Sequence, residues 1–469
     1  MKPQKCIITV KDEVFCFISN LRPADLEYLE KKFAVYVDGY FFMPAYKLGR
    51  WDGKKKFFEK TGKTFIRFLP EIVEYLAGEN YDLELIDQRK HVEGPVARAF
   101  KDQFKEYSVF LRPYQIEAVN ILADEGSGFI IAGTGAGKSL ICAALCDIYG
   151  KANMKTITVV PSSDLVTQTA DWYKICGLDA GEYSGAKKEI DCQHVVATWQ
   201  SLQNNPKLMT FFDMFIIDEA HGVKGQVIYD LITEHGKNIP FRFGVTGTFP
   251  KPLTDQMTLK STIGQIHKEI PAKWLIENGY LAKVEIEPVI LETKAKEDDF
   301  PDYASERSYI SKNEARLDVL ADLIIDKCDK FGNTLVLVNS VDMGEKLQKM
   351  IKDSVFLYGE NDKKERKAQY DMYKDRNDVI TIATFGIAST GISIDRIFCL
   401  ILVDAGKSFV RAIQSVGRGT RLAADKNSVH VVDVYSNLKW SKKHYKERKK
   451  YYDEAGYPVT APVKIKFKG

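Results

Sequence analysis

Residues 129–145, FIIAGTGAGKSLICAAL, constrain the fold of this chain more than any other segment. A β-rich run passes through a glycine-rich turn into a helix-forming run that opens at Lys138. Glycines let the backbone turn tightly and aim its N–H groups at an anion, and the helix N-terminus adds its dipole. Lys138 is placed to reach the β- and γ-phosphates of a nucleotide, and the Ser139 hydroxyl is a magnesium ligand. The predicted binding residues are Gly133, Thr134, Gly135, Ala136, Gly137, Lys138 and Ser139.

The strict phosphate-loop pattern, G-x-x-x-x-G-K-[ST], has one departure here, because Ala132 occupies its first glycine position. An ordinary glycine-rich turn between a strand and a helix is the alternative interpretation. The run Gly137-Lys138-Ser139 in a strand, loop and helix context favours the phosphate loop. We therefore expect a nucleoside triphosphate to bind at this turn.

A second motif, DMFIIDEAH, occupies residues 213–221. Its apolar run predicts a strand that presents Asp218 and Glu219 at its carboxyl end, where ligands of α/β sheets bind. Asp218 is predicted to hold Mg²⁺ through water, and Glu219 to orient and deprotonate the attacking water. An isolated Asp-Glu pair is more typical of a solvated strand end. Its combination with the phosphate loop favours the catalytic interpretation.

The chain has 469 residues, 45% of them hydrophobic and 28% charged, which excludes wholesale disorder or a fibre. From residue 127 onward, short apolar runs alternate with helical stretches in two successive series. Such runs are typical of parallel strands covered by helices on both faces, so the sequence predicts two doubly wound α/β lobes. The candidate strands are 129–132, 156–160, 194–198, 214–217 and 241–246 in the first series, and 334–338, 379–383, 399–403 and 429–434 in the second.

Residues 1–105 have a different pattern. The stretch KKKFFEKTGKTFIRFLP, residues 54–70, predicts a hairpin with its turn at Thr61-Gly62-Lys63, within a separate small α+β module. Residues 291–313 contain the charged run KAKEDDFPDY and predict a linker between the lobes, or a surface insertion close to one.

The eight cysteines and seven histidines show neither a C-x-x-C pair nor zinc-ligand spacing, so the sequence predicts neither disulfides nor a zinc site. No apolar run approaches the ~20 residues of a membrane-spanning helix. Lys11, Asp12 and Glu13 interrupt the N-terminal region before a signal-peptide core forms. We expect a cytoplasmic protein with no membrane partner.

The order of these motifs resembles that of superfamily 2 helicases and translocases. The segment from Ala132 to Ser139 looks like motif I of that superfamily, in which alanine at the first position is common. The run Asp218-Glu219-Ala220-His221 is similar to motif II, in its DEAH form. The run Thr246-Gly247-Thr248 is similar to motif III, which couples hydrolysis to nucleic-acid engagement in the family. The resemblance implies coupling roles for His221, Thr246, Gly247 and Thr248.

Further motifs of the superfamily lie upstream and downstream. LRPYQIEAV, residues 111–119, resembles the motif in which a glutamine reads adenine, and implies that Arg112 and Gln115 bind ATP. PSSDLVTQ (161–168), ATWQS (197–201) and TFGIASTGISI (384–394) are similar to motifs Ia, Ib and V. The residues so implied in nucleic-acid binding are Pro161, Gln168, Thr198, Trp199, Gln200, Thr384 and Thr390, with Gly391 near phosphates.

Residues 414–421, QSVGRGTR, match motif VI, Q-x-x-G-R-x-x-R. Arg418 and Arg421 are three apart, so on a helix they share one face. The resemblance implies that they stabilise charge on the γ-phosphate as arginine fingers, with Gln414 in the same catalytic set. By itself this segment is equally well explained as a solvated basic helix, and the order of the preceding motifs favours motif VI.

The resemblance covers roughly residues 108–435 and implies RecA-like lobes. We therefore predict an α/β fold with two tandem RecA-like doubly wound parallel sheets and a small α+β N-terminal domain. The predicted boundaries are 1–105 for an accessory DNA-binding domain, 106–283 for the ATP-binding lobe, 284–436 for the second lobe, and 437–469 for a basic tail.

Residues 38–58, DGYFFMPAYKLGRWDGKKKFF, are similar to the N-terminal module of phage UvsW-type branched-DNA helicases, which regress forks and migrate branches. The net charge of +3 is unevenly spread, because residues 47–67 hold eight basic and two acidic residues, and residues 437–469 hold ten and three. A basic face that gathers phosphates explains the first cluster, with Lys54, Lys55 and Lys56 as DNA contacts. The aromatic residues among these lysines are better explained as the core of a small sheet. The basic tail is either disordered or a nucleic-acid contact.

These observations predict an ATP- and Mg²⁺-dependent DNA helicase or translocase that unwinds or branch-migrates forks and four-way junctions in recombination, replication and repair. Its expected partners are single-stranded and branched duplex DNA. An RNA helicase or remodeller with the same motor, a translocating subunit of a restriction complex, and a non-enzymatic scaffold are the alternatives.

Overall fold

The computed structural model describes residues 3–133, 135–185, 187–218, 225–281, 283–358, 376–386, 396–405, 428–454 and 456–467. The chain divides into two compact units. The first comprises Met1–Gly133 and Gly137–Ile270, and the second comprises Thr134–Ala136 and Pro271–Gly469. Within the described ranges, no helix is both long enough and apolar enough to cross a membrane. All eight cysteines lie in these ranges, and each is a free thiol.

The N-terminal region forms a four-stranded mixed sheet and a separate two-stranded ribbon. Its strands are β1 (Gln4–Val10), β2 (Phe15–Ser19), β3 (Ala34–Tyr36), β4 (Lys54–Lys56), β5 (Lys63–Phe65) and β6 (Tyr81–Asp87). The sheet has the order β5-β2-β1-β6, and β3 and β4 form the ribbon. Helices Pro23–Lys32, Pro44–Lys47 and Leu69–Gly78 connect these strands.

The turn predicted at Thr61-Gly62-Lys63 is present. The Glu59 N–H donates to the Lys63 carbonyl at 2.9 Å, and the Gly62 N–H donates to the Glu59 carbonyl at 2.8 Å. Gly62 has φ +78°, and a Cβ there would lie 2.0 Å from the Ile18 carbonyl oxygen, so only glycine fits. The predicted hairpin differs in its pairing, because β4 pairs with β3 whereas β5 pairs with β2.

The N-terminal region has its own sheet, but its core continues into the rest of the first unit. Phe57, Phe58 and Phe65 belong to the same buried cluster as Leu231 and Leu259. Another link is Arg242, which has no exposed surface and donates to the Glu13 carbonyl at 2.8 Å. The predicted N-terminal module is therefore packed onto its neighbour through a shared core.

The first unit is completed by an eight-stranded sheet of order β10-β9-β11-β8-β12-β13-β7-β14. All neighbouring strands are parallel except β9 and β10. The strands are β7 (Ser127–Ala132), β8 (Thr156–Val160), β9 (Ala180–Ser184), β10 (Lys187–Lys188), β11 (His194–Thr198), β12 (Met214–Asp218), β13 (Phe241–Thr246) and β14 (Ile266–Ile270). The helices are Pro113–Glu125, Lys138–Lys151, Ser163–Ile175, Trp199–Asn204, Gly225–Asp230 and Leu253–Thr262.

The second unit has a seven-stranded sheet of order β17-β18-β16-β19-β20-β15-β21, in which every neighbouring pair is parallel. The strands are β15 (Lys283–Glu292), β16 (Thr334–Val338), β17 (Val355–Leu357), β18 (Ile380–Thr384), β19 (Cys399–Val403), β20 (Ser428–Ser436) and β21 (Val463–Lys466). The described helices are Ala272–Glu277, Tyr303–Lys312, Glu314–Phe331, Val341–Met350 and Lys439–Glu454. Two parallel sheets and a small mixed sheet confirm the predicted fold class.

The linker predicted at residues 291–313 is wrong. This segment lies inside the second unit, and it forms the helix Tyr303–Lys312. Its charged side chains have structural roles that composition does not reveal. The Asp302 carboxylate caps the helix by accepting from the Ser305 N–H at 2.8 Å, and the buried Glu306 accepts from the Ser441 N–H at 2.8 Å.

The basic C-terminal segment is folded, so the interpretation of a disordered tail is wrong. The helix Lys439–Glu454 buries one face against the second sheet, and β21 adds a parallel edge strand beside β15. The buried positions follow helical spacing and are Ser441, His444, Tyr445, Arg448 and Tyr452. The lysines face outward and are Lys439, Lys442, Lys443, Lys446, Lys449 and Lys450. Composition hid this amphipathic pattern because the basic residues dominate the segment.

His194 makes the stability of the first sheet depend on pH. It is buried at the start of β11, where its Nδ1 lies 2.9 Å from the Thr156 hydroxyl, and burial lowers its pKa to about 4. Because the imidazole stays neutral in the folded protein while the unfolded chain protonates near pH 6.5, lowering the pH favours unfolding. We expect about 3 kcal/mol of stability to be lost between pH 6.5 and 4.

Urea unfolding at a series of pH values measures this loss. His194→Asn should flatten the dependence, whatever its effect on stability at pH 7, whereas substitution of the exposed His91 should preserve it. An equal acid dependence in wild type and His194→Asn would contradict the assignment.

Candidate active site

Five predicted motifs end their strands at the same edge of the first sheet. β7 ends at Ala132, β8 at Val160, β11 at Thr198, β12 at Asp218 and β13 at Thr246. The strands are parallel, and their registers pair the last residue of one strand with the last or next-to-last residue of its neighbour. Their carboxyl ends therefore share one edge, which is where α/β sheets bind ligands.

The phosphate loop begins after Ala132, where the Gly133 N–H donates to the Ile270 carbonyl of the neighbouring edge strand at 2.9 Å. Gly135 and Gly137 have φ values of +85° and +77°, which other residues adopt only with strain. The helix starts at Lys138, directly after this turn. Glycine spacing therefore produces the tight turn and the helix N-terminus that the sequence predicts, a geometry suited to an anion. Thr134 lies outside the described residues.

Gln115 lies against this loop. Its side chain is only 3% exposed, and its Oε1 accepts from the Arg112 N–H at 2.8 Å at the start of the helix Pro113–Glu125. A Cβ added to Gly137 would lie 2.4 Å from the Gln115 amide nitrogen. The structure thus brings together two residues that lie 22 positions apart and that the sequence assigned to one nucleotide. The Arg112 guanidinium donates to the Tyr114 hydroxyl at 3.3 Å.

Asp218 is the last residue of β12, a strand whose five residues are all buried. Its side chain is 7% exposed at the shared edge. Ser139 lies in the first turn of the helix that follows the phosphate loop. A carboxylate and a hydroxyl oxygen at one edge are the donor types that Mg²⁺ prefers. Glu219 and His221 lie outside the described residues.

The predicted motifs Ia and Ib each start a helix at this edge. The Ser162 hydroxyl accepts from the Leu165 N–H at 3.4 Å and caps the helix Ser163–Ile175. The Thr198 hydroxyl caps the helix Trp199–Asn204 by accepting from the Ser201 N–H at 3.3 Å. The Thr198 side chain is buried at this helix cap. Gln168 and Gln200 are exposed, and Pro161 and Trp199 are half-buried.

Motif III follows the neighbouring strand. Thr246 is fully buried, and its hydroxyl donates to the Thr248 carbonyl at 2.8 Å, which closes a tight turn around Gly247. Thr248 itself is exposed. The turn thus connects a buried strand end to an exposed residue beside the phosphate-loop strand, because β13 pairs with β7.

Comparison with known families agrees with this arrangement. Residues 108–251 match the family model for the res subunit of type III restriction enzymes, and residues 315–423 match the model for the helicase conserved C-terminal domain. Together the two matches span more than half of the chain. The chain belongs to the superfamily 2 helicases. It is therefore an ATP-dependent helicase enzyme.

Individual relatives of this superfamily 2 helicase cover much of its length. The ATP-dependent DNA helicase uvsW of Enterobacteria phage T4 is 26% identical over 447 residues, which covers 89% of this chain and 88% of that protein. The DNA 3'-5' helicase XPB of Kineococcus radiotolerans is 26% identical over 370 residues, covering 74% and 63%. A solved fragment assigned as an HsdR subunit of a type I restriction enzyme from Vibrio vulnificus shares the fold, with a TM-score of 0.57 and 18% identity over 96% of this chain and 85% of that one.

In the second unit of this helicase, Thr384 is the last residue of β18 and is half-buried. It pairs in register with Val338 at the end of β16, so the start of motif V lies at the carboxyl edge of the second sheet. The other predicted residues of motifs V and VI lie outside the described residues. They are Thr390, Gly391, Gln414, Arg418 and Arg421.

The three lysines predicted as one DNA contact lie in three different environments. Lys54 is half-buried with its ammonium 4.6 Å from the Tyr36 ring centroid, and Lys56 forms a 2.7 Å ion pair with Glu30. Lys55 instead faces protein, where its Nζ donates to the Thr258 hydroxyl at 3.1 Å, and burial lowers its pKa. Lys55 therefore anchors the ribbon to the helix Leu253–Thr262, and its assignment as a DNA contact stays a prediction. Successive side chains of a strand point to opposite faces, and this alternation distinguishes Lys55 from Lys54 and Lys56.

The aromatic residues of this region divide into two groups. Phe57, Phe58, Phe65 and Phe68 are buried, which agrees with the core interpretation. A second group, which the sequence interpretation left without a role, is exposed on the connection between β3 and β4. Glycines at positions 39, 49 and 53 flank this group and, with hindsight, indicated a protruding loop.

Proposed function

We propose that this helicase uses ATP and Mg²⁺ to move along DNA and acts on branched DNA, such as forks and four-way junctions. The observation that carries the proposal is the likeness to the uvsW helicase, because it extends over 88% of that protein and takes in the N-terminal region as well as the motor. Likeness to the motor alone would favour DNA no more than RNA, since such motors contact mainly the backbone.

The phosphate loop and the strand ends beside it supply most of the residues for ATP. The phosphate loop donates backbone N–H groups to the phosphates, and Lys138 places a cation beside the β- and γ-phosphates. Gln115, already held against Gly137, binds the adenine. When bound, Mg²⁺ neutralises phosphate charge, and Ser139 and Asp218 are the residues that hold it. Glu219 orients the attacking water, and Gln414, Arg418 and Arg421 complete the predicted catalytic set.

Exposed groups at the same edge supply the nucleic-acid contacts. Gln168 and Gln200 project from helices that start at the edge, and the N-terminus of the first of these helices favours phosphate oxygens. Thr248 is the exposed end of motif III, and it follows the buried strand β13, which pairs with the strand that leads into the phosphate loop. The outward lysines of the helix Lys439–Glu454 add a basic face in the second unit. These contacts are to backbone, so they supply grip without sequence specificity.

Strand separation measured on matched substrates tests the branched-DNA proposal. A fork, a four-way junction and a linear duplex of equal base-pair content should be compared with ATP in excess. We expect the fork and the junction to be processed at least about tenfold faster than the linear duplex, since a tenfold rate difference needs only about 1.4 kcal/mol of preferential binding. Equal rates on all three would contradict the branched-DNA preference and leave the motor intact.

A further inference from the structure

The connection between β3 and β4 exposes a cluster of aromatic and apolar side chains, here called the aromatic tip. All ten residues from 41 to 50 are exposed. Phe42 is 70% exposed, Leu48 64% and Phe41 52%. The remaining exposed members are Tyr36, Met43 and Tyr46. Soluble proteins rarely expose so contiguous an apolar patch without a partner for it.

We propose that the aromatic tip stacks on unpaired bases of single-stranded DNA where a duplex opens. The inference rests on the proposed function and goes beyond it, because it assigns the element that meets the separated strand. Flat aromatic rings recognise any base through its π-face, so such contacts are tolerant of sequence. A motor that contacts only the backbone can use these ring–base contacts to distinguish unpaired from paired DNA.

The rings of the tip are held in place by one another. Tyr36 and Tyr40 are stacked with centroids 4.7 Å apart, and Tyr46 meets the Tyr40 ring edge to face at 4.8 Å. Gly53, with φ +79°, lets the Tyr40 ring approach so closely that a Cβ there would lie 2.5 Å from it. Tyr40 is thus held rigidly by its neighbours, and the adjacent Phe41 and Phe42 project into solvent.

The charges around the tip match a nucleic-acid strand. Lys47 and Arg50 are exposed within it, and Lys54 lies at its base over the Tyr36 ring. Asp38 and Asp52 are the acidic residues in residues 36–54, which are net basic. Cations beside exposed rings fit a strand whose phosphates and bases are both accessible, as they are only when the strand is unpaired.

The tip is anchored to the motor through its ribbon. Lys55 on β4 donates to Thr258 of the helix Leu253–Thr262, and its ammonium lies 4.5 Å from the Tyr229 ring centroid. Phe57 continues the same chain into the shared core. A base held at the tip is therefore held at a fixed position relative to the first sheet, as an element that divides two strands requires.

The test compares Phe41→Ala/Phe42→Ala with the wild type and with Phe211→Ala, which removes an aromatic ring 67% exposed elsewhere on the first unit. Dissociation constants are measured by fluorescence anisotropy for labelled oligo(dT) and for a blunt duplex. We expect the double variant to bind oligo(dT) at least about tenfold more weakly and the duplex with less than about twofold change, because stacking acts only on unpaired bases. Phe42→Trp should retain oligo(dT) binding, and the thermal unfolding midpoint confirms that each variant is folded.

Three outcomes overturn the inference. Unchanged oligo(dT) affinity in the folded double variant excludes a stacking role. An equal loss for oligo(dT) and duplex indicates a general contact. Conversion of a wild-type dimer into a monomer, seen by sedimentation, assigns the patch to a second copy of this chain. A wild type whose ATP turnover no DNA stimulates would instead refute the proposed function, so the two failures are distinguishable.

Discussion

Lys138→Ala should lower ATP turnover at least about 10³-fold. Lys138 is the first residue of its helix, directly after the positive-φ turn at Gly137. In the proposed ATP site its ammonium lies beside the β- and γ-phosphates. Without it, charge that develops on the γ-phosphate in the transition state has lost a fixed cation. Loss of a preorganised charge in such a site acts on the rate of the chemical step more than on folding.

The measurement is steady-state phosphate release with saturating DNA. Lys151→Ala is the matched control, because Lys151 ends the same helix in an exposed ion pair with Asp147, and its turnover should equal that of the wild type. Lys138→Ala should still bind DNA, since the proposed DNA contacts are other residues. Turnover within about tenfold of the wild type would contradict the assignment of this loop as the ATP site.

Arg448→Ala should destabilise the second unit by about 3–5 kcal/mol. Its guanidinium is 2% exposed and pairs with Asp433 of β20, which is fully buried, through contacts of 2.7 and 2.9 Å. It also donates to the Ala405 carbonyl, and Tyr452 donates to the same carboxylate at 3.0 Å. Removing the arginine leaves a buried carboxylate without its counter-ion, which costs more than the lost contacts alone.

Lys449→Ala is the control for this substitution. Lys449 is adjacent in the chain and forms only an exposed ion pair with Asp453, so its loss should cost no more than about 0.5 kcal/mol. Urea unfolding, followed by circular dichroism, compares the two variants. Equal stability of Arg448→Ala and Lys449→Ala would show that the C-terminal helix is not part of the second unit's core.

The strands were predictable where apolar and β-branched residues dominate the run. The predicted bounds 156–160, 194–198, 241–246, 334–338 and 399–403 agree with the structure. Burial on both faces gives such strands a signal that needs no knowledge of their neighbours. The glycine turn and the carboxyl-end position of Asp218 followed from the same local physics.

Elements whose stability depends on distant partners were not predictable. The strand Ala180–Ser184 includes the buried Glu182, which is satisfied by Lys187 at 2.6 Å and by the Thr167 hydroxyl at 2.6 Å. The C-terminal strand Val463–Lys466 follows two prolines and gains its ladder only from β15. Whether such polar or edge segments form strands depends on tertiary contacts, which outweigh local propensity.

The orientation of charged side chains was likewise not predictable from the composition of a segment. The sequence predicted Lys54, Lys55 and Lys56 as DNA contacts and the C-terminal segment as either disordered or a nucleic-acid contact. In the structure, Lys55 donates to Thr258 and Arg448 is buried against Asp433. Their neighbours differ, because Lys54 lies half-buried over the Tyr36 ring and Lys449 is exposed. Net charge predicts the character of a surface, whereas the orientation of each side chain decides which cations belong to it.

Displacement of streptavidin from end-biotinylated strands tests most directly whether ATP hydrolysis moves this enzyme along DNA. With ATP and Mg²⁺, the wild type should accelerate release from one end of a DNA strand, whereas Lys138→Ala should leave the spontaneous rate unchanged. An RNA strand of the same sequence should support little release. Phosphate release without accelerated displacement from either DNA end would contradict the account, and displacement from RNA alone would make the enzyme an RNA motor.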